Sequence, residues 1–512
     1  MDTIVRTLRG GAKAPQEQQE VDPRWDAQPA IPLESQTTIR CYRHKATGAR
    51  VRWIEAPGPM AHLYVVLATE AVTTDWADRD DGLPHTLEHL VFLGSETYPY
   101  KGVLDKLANR CLARGTNAWT DVDHTAYTAT HAGSRGLLSL LPIYLDHILR
   151  PTLTDAAFET EVHHVTGEGE DKGVVYCEMQ GRETNAESVA ERACLRALYP
   201  DPGCGYSSET GGMCANLREL TNAQVRRYHK EFYRADNLCL IVTGSLDVRA
   251  LLDTCDAALN ASAAPLGARK DEAKPERPWS RPVAPLLVDG RPKTETSADS
   301  AKAPPENHPP CIEVSFPAAG DDGAGVAVLA WRSTSYGSYF EDAKQGILWS
   351  YLTDGAASPL TRAFVESGEC SGVWPTADRL KVGYRQLWLE DVDVDALNSL
   401  DAKFQAVLDA LVADGGVDDK RMADVVARAQ RKTKATLEDD PATAAVTPVL
   451  KHFLYAEDPD DADTLAEGAD PLRLLETVAK VGVDEWNRAL RDLAARRPRL
   501  VVLARPSEER AE

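Results

Sequence analysis

Residues 81–94 read DGLPHTLEHLVFLG and hold His85, Glu88 and His89 in the order H-x-x-E-H. At about 100° per residue these side chains lie near 0°, 300° and 40° around a helix axis, so all three share one face. Such a helix can hold a metal with both imidazoles and aim the carboxylate at a water beside it. Pro84 suits a first helical turn, Gly94 suits the end, and Leu87, Leu90 and Val91 form an opposing apolar stripe, so a helix is predicted over Pro84–Leu93. The pattern by itself also fits two partly buried histidines capped by a glutamate.

Zinc held by two histidines needs a third protein ligand and an open fourth position. Glu178, in GVVYCEMQGRE (residues 173–183), is the first candidate, at the start of a long helix predicted to run toward Leu198. By spacing alone Glu161, Glu168, Glu170, Asp171 and Glu183 compete with it, and so does the pair His163-His164, of which a strand would present only one to the site. Cys177 is expected in the core, turned about 100° away from Glu178. Asp121, Asp123 and His124 are read either as groups that orient a zinc ligand from behind or as exposed loop polarity.

Outward from the motif, strands are predicted at Ile39–Tyr42, Val51–Ile54, Leu63–Leu67 and Leu238–Thr243, and helices at Gly102–Ala113, Gly136–Leu149 and Asn222–Phe232. A second series follows: strands Ile312–Phe316, Val326–Trp331 and Leu500–Ala504, with helices at Asp342–Leu352, Leu360–Glu366, Val394–Ala413, Asp418–Leu437 and Val483–Ala495. Both series open with strands and close on a helix followed by an apolar strand, which points to an α+β duplication. The expected organisation is a flexible leader over 1–33, a metal-binding domain over 34–261, a linker over 262–310 and a second domain without metal over 311–512. Pro, Ala and alternating charge in KTETSADSAKAPPENHPP (residues 293–310) mark the linker. The second unit's counterpart of the metal helix, EDAKQGILWSYL (residues 341–352), has no histidine.

The 512 residues carry 57 Lys+Arg against 79 Asp+Glu, a formal charge of −22. That field disfavours nucleic acid and anionic membrane surfaces as partners, and no apolar run reaches the ~18 residues of a membrane span. The start, MDTIVRTLRGGAK, has an acidic second residue and no apolar run, so it does not read as a secretory signal, while Arg6, Arg9 and Lys13 make only a weak mitochondrial pattern. The ten cysteines stand singly, with no C-x-x-C pair, and are expected to be reduced thiols. The expected location is intracellular, in the cytoplasm ahead of the mitochondrial matrix.

Four stretches taken in order, LPHTLEHLVFLGSETYPYKG (83–102), GTNAWTDVDHTAYT (115–128), GVVYCEMQG (173–181) and GYSSETGG (205–212), resemble the pitrilysin and insulin-degrading-enzyme family of zinc metallopeptidases, and within it the presequence-protease branch. The resemblance is strong from Thr37 to Gly244 and weaker over the second unit. It implies one Zn2+ per chain held by His85, His89 and Glu178, with Glu88 as the general base. It also implies that the strand Asn117, Ala118, Trp119 and Thr120 is an edge that pairs with a peptide substrate, so that backbone contacts give broad specificity. The fold it implies is two similar domains forming half of a clamshell. Single-chain members of this branch are about twice as long, and their second half supplies an arginine and a tyrosine to the substrate. The expected partners are therefore peptides and a second half-clamshell, either another subunit or a second copy. The alternative is a non-catalytic or partner-dependent structural subunit of the same fold.

Overall fold

The computed structural model of the chain describes residues 22–33, 37–71, 80–200, 204–263, 287–288, 291–292, 311–318, 323–495 and 499–509. Two sheets built on one plan organise them. The first contains Trp25–Ala27 (β1), Ile31–Pro32 (β2), Thr38–His44 (β3), Arg50–Glu55 (β4), Met60–Ala68 (β5), Ala113–Thr120 (β6) and His124–Ala132 (β7). After the two-residue strands His164–Val165 (β8) and Asp171–Lys172 (β9), it is completed by Leu238–Thr243 (β10). A short pair, Leu287–Val288 (β11) and Arg291–Pro292 (β12), precedes the second sheet. That sheet is made of Cys311–Pro317 (β13), Gly325–Ser335 (β14), Gly372–Asp378 (β15), Val382–Val392 (β16) and Leu500–Ser507 (β17).

The spatial order β4-β10-β5-β7-β6 in the first sheet recurs as β13-β17-β14-β16-β15 in the second. In both, the closing strand lies parallel to the opening one, and all other neighbours in the series are antiparallel. This shared topology is the duplication expected from the order of elements. The first sheet adds β3, β1 and β2 outside β4.

Helices Leu83–Val91 (α1) and Val103–Arg110 (α2) connect β5 to β6. Ser134–Leu149 (α3), Asp155–Glu161 (α4), Val174–Glu183 (α5), Ala186–Leu198 (α6), Cys214–Glu219 (α7) and Asn222–Phe232 (α8) lie between β7 and β10, and Val248–Ala263 (α9) follows. In the second unit Tyr339–Thr353 (α10) and Pro359–Phe364 (α11) connect β14 to β15. Leu400–Ala413 (α12), Asp419–Asp439 (α13), Val446–Tyr455 (α14), Ala462–Ala469 (α15), Pro471–Val478 (α16) and Val483–Ala495 (α17) lie between β16 and β17.

Period-two alternation explains how the layers stack. In β10, Leu238, Leu240 and Val242 face α1, α3, α8 and α9, while Cys239 and Ile241 face the opposite way. In β14, Ala327, Leu329 and Trp331 face α10, α12, α13 and α17, whereas Val326, Val328 and Ala330 share a core with Cys239 and Ile241. That shared core is filled by α6 and α14 between the two sheets. Strands buried on both faces read as continuous apolar runs, which is why LCLIVT and LVVLA were legible as strands.

Several boundaries differ from expectation. Within residues 22–33, expected in the leader, Trp25–Ala27 and Ile31–Pro32 instead pair with β3, and Trp25 is buried. The first unit closes on α9, not on β10, and most of the expected linker lies outside the described residues, as does the start of the leader. The helix expected to run from Glu178 to Leu198 is broken at Thr184, because Asn185 caps a new helix by accepting from the Ser188 N–H at 3.0 Å. Among the described residues, no helix is long and apolar enough to cross a membrane.

Candidate metal centre

Helix α1 is seated before its histidines are used. Gly82 precedes it at φ +73°, and a Cβ there would come within 2.6 Å of the Gly211 carbonyl oxygen. Only glycine allows the 205–212 loop to lie this close across the start of the helix. Asp80 clamps the same loop by accepting from the backbone N–H of Glu209 at 2.8 Å and, through its own carbonyl, from that of Met213 at 2.9 Å. Leu83, Leu87, Leu90 and Val91 are buried beneath α1, so the opposite face presents His85, Glu88 and His89. The helix ends at Val91, earlier than expected, with Phe92 at its C-terminal cap.

Glu178 comes from the middle of α5 and completes a set of three. His85 Nε2 lies 3.7 Å from Glu178 Oε1, His89 Nε2 lies 3.6 Å from Glu178 Oε2, and one ligand atom from each residue lies within 4.8 Å of the other two. Zinc bonds of about 2.05 Å in a tetrahedron place neighbouring ligand atoms about 3.3 Å apart, so the two histidine–carboxylate separations lie within a few tenths of an ångström of that spacing and the donor types suit the ion. The rings of His85 and His89 meet edge to face with centroids 4.7 Å apart, and the Nε2 atom of each lies near the Glu178 carboxylate.

The surroundings tune each group. Burial, with His89 and Arg182 nearby, pushes the His85 imidazole down to about 3, which keeps a lone pair on the ring. Burial also lowers His89, but its hydrogen bond to Glu161 and the carboxylates of Glu88, Glu161 and Glu178 outweigh that and raise it. Three acids around two imidazoles are electrostatically short of a cation. Glu88 is pushed upward by burial, opposed by the Thr120 hydroxyl, which donates to its Oε2 at 2.6 Å.

Glu161, one of the competing acids, sits behind the site and not in it. Its Oε1 lies 3.2 Å from His89 Nδ1 and its Oε2 accepts from Lys101 at 3.3 Å. It therefore fixes which His89 nitrogen faces Glu178. No spacing signal marks it, since it lies 72 residues beyond His89. Glu161→Gln should weaken zinc binding about 10- to 100-fold, as competition with a chromogenic chelator would measure, with the far-ultraviolet circular dichroism unchanged.

The other competitors are engaged elsewhere. His163 Nε2 pairs with Asp171 at 2.6 Å, His164 Nδ1 meets the Glu159 carbonyl, Asp171 also accepts from Arg218, Glu183 accepts from the Cys214 N–H, and Glu170 faces Lys172. Glu168 lies in the exposed turn between β8 and β9. Cys177 is exposed, contrary to the expected core position, because this face of α5 is not covered.

Asn117, Ala118, Trp119 and Thr120 form the end of β6, the outermost strand of the first sheet. Its inner edge pairs with β7, and among the described residues no strand pairs with its outer edge. The side chains alternate as a strand requires. Ala118 packs with the core beneath α1 and Thr120 reaches Glu88, while Trp119 packs toward the core between the sheets. Asp123 and His124 do not support a zinc ligand: they bond to each other at 2.9 Å, and His124 Nε2 accepts from the Trp119 indole at 2.9 Å.

Residues 76–191 match the insulinase (peptidase family M16) model and residues 219–428 match the peptidase M16 inactive domain. The chain is 34% identical over 473 residues to an uncharacterised protein of Caenorhabditis elegans, covering 91% of this chain and 44% of that protein. It is 32% identical over 173 residues to the mitochondrial presequence protease of Xenopus tropicalis, covering 32% of this chain and 17% of the protease. The chain thus spans less than half the length of these relatives. Among solved structures, the first half of the periplasmic protease PqqL from Escherichia coli superimposes with a TM-score of 0.65 at 16% identity, over 95% of both chains. Pitrilysin does so with a TM-score of 0.60 at 15% identity, over 95% of this chain and 47% of pitrilysin. With the insulinase model matched over 76–191, where the H-x-x-E-H helix lies, and the peptidase M16 inactive-domain model matched over 219–428, this protein belongs to peptidase family M16.

Proposed function

We propose that this chain is the metal-binding half of a zinc-dependent endopeptidase acting on short or unfolded peptides. The observation that carries the reading is the convergence of His85, His89 and Glu178, with Glu88 on the same face of α1 and tied to the end of a free-edged strand. Zinc bound to these three residues supplies a Lewis acid that polarises an amide carbonyl and makes water far more acidic.

The chain's own residues do the rest. The outer edge of β6 offers backbone donors and acceptors to an extended peptide, which adds as a further strand and lays its amide past Glu88. Glu88, raised by burial and oriented by Thr120, accepts the proton of the attacking water as the carbon–oxygen bond forms. It returns that proton to the leaving nitrogen as the carbon–nitrogen bond breaks. Glu161 holds the His89 ring so that its Nε2 remains a lone-pair donor.

A second reading, a subunit that depends on a partner, draws on the chain's span of less than half its relatives and on the inactive-domain match over 219–428. Metal analysis together with size-exclusion chromatography and light scattering tests both. The first reading expects about one zinc per chain, lost in His85→Ala, and chelator-sensitive cleavage of a quenched fluorescent peptide that follows the chain's own peak. Cleavage confined to a larger species containing a second half supports the partner-dependent reading. Absence of zinc from the wild type overturns the first.

A further inference from the structure

Neighbouring residues on β6 are held from opposite sides. Thr120 reaches Glu88, while Trp119 donates its indole Nε1–H to His124 Nε2 over 2.9 Å. An indole nitrogen only donates, so His124 Nε2 must carry the lone pair and the ring's proton must sit on Nδ1. Nδ1 lies 2.9 Å from Asp123 Oδ1 and donates to it. The other carboxylate oxygen, Oδ2, accepts from the Tyr455 hydroxyl at 2.7 Å. Asp123, His124 and Tyr455 are all buried. Tyr455 is the last residue of α14, in the second unit and 332 residues along the chain from Asp123. Its backbone carbonyl accepts from Lys381 at 3.0 Å and its ring packs against Tyr336, with centroids 5.4 Å apart, so the hydroxyl is itself anchored.

We infer that Tyr455 is a positioning residue for peptide binding on β6. Its hydroxyl fixes the Asp123 carboxylate, Asp123 fixes the tautomer and plane of His124, and His124 holds the Trp119 indole and with it the free edge of the strand. The inference rests on the reading of β6 as the peptide-binding edge. It gives the second unit, which has no metal motif, a part in the chemistry of the first. Protonation of His124 would set an N–H against the indole N–H, so the hold requires a neutral ring. The charged groups facing that ring are Asp121 and Asp123 from its own loop, Lys451 from α14 and Asp378 at the end of β15.

The test uses the zinc-loaded chain with 15N-labelled indoles, the Trp119 resonance being identified by its loss in Trp119→Phe. In Tyr455→Phe, which keeps the ring and removes only the hydroxyl, the Trp119 indole proton should move upfield. KM for a quenched peptide should rise about fivefold, with kcat changed less than twofold and zinc content unchanged. Acidification of the wild type should move the same resonance in the same direction. An unmoved Trp119 resonance in Tyr455→Phe overturns the relay whatever the chain does to peptides. A resonance that moves while KM stays constant overturns its role in peptide binding. Failure of the peptidase reading would look different, as absence of zinc-dependent cleavage in the wild type itself.

Discussion

Glu88→Gln should lower kcat on a quenched fluorescent peptide by about 10²- to 10⁴-fold, with KM and zinc content close to those of the wild type. The glutamine has nearly the same shape, and its carbonyl can still accept from the Thr120 hydroxyl, so α1 and β6 stay in register. What disappears is the carboxylate on the ligand face of α1, which is buried and raised above its ordinary value. Loss of kcat at constant zinc content separates this from mere damage to the site, because a variant that lost metal would show it in the metal analysis. If the histidine pair were only structural, Glu88→Gln would match the wild type in every readout.

Asp460→Asn should destabilise the chain by about 3 kcal/mol, through the contact that ties the second unit to the first sheet. Arg50 makes a paired contact with Asp460, Nε to Oδ1 and Nη2 to Oδ2, both at 3.0 Å. Arg52 Nη2 donates to the same Oδ1 at 2.8 Å and to the Pro459 carbonyl at 2.7 Å. Arg50 and Arg52 are buried on β4, so an amide at 460 would leave two guanidiniums with no anion between them. The figure stands at the low end for a buried pair because the Asp460 side chain retains 14% exposure.

Burial raises the Asp460 carboxyl, but the two arginines outweigh it and hold it below the usual range. A depressed folded value contributes stability above the unfolded value of about 3.9, and that contribution is lost as pH falls through the folded one. Urea unfolding should therefore show the full difference between wild type and Asp460→Asn at pH 7 and a smaller one below about pH 3. Equal midpoints at pH 7 would remove this contact from the account.

Helix α1 was legible because three signals agree there: the H-x-x-E-H spacing, Pro84 in the first turn and an apolar stripe of the right period. The two closing strands were legible because burial on both faces leaves an unbroken apolar run. Other elements lacked such agreement. Pro375 hides β15, since proline argues against a strand except at a sheet edge, which is where β15 lies. Strands β1 and β2 are two or three residues long and depend on pairing with β3, so no local period reveals them.

Within the site, the H-x-x-E-H spacing singled out His85, Glu88 and His89, Glu178 came forward among several acids only through the family resemblance, and the groups that contact them were not legible at all. Glu161 meets His89 and Tyr455 meets Asp123 only after long loops close, and sequence spacing carries no trace of either contact. The second-unit helices α14 to α16 were missed although part of their signal is present. They are short, at ten, eight and eight residues, but α14 places Val446, Val449, Leu450, Phe453 and Leu454 on one face at helical spacing, so a helix could have been read there.

The most direct test of the zinc-peptidase reading is the rate of cleavage of a quenched fluorescent peptide by metal-free chain titrated with zinc. The rate should start near zero, rise in proportion to added zinc and level off at one equivalent per chain, where His85, His89 and Glu178 are filled. A rate already at its full value without zinc, or one that stays flat while one equivalent binds, would contradict it.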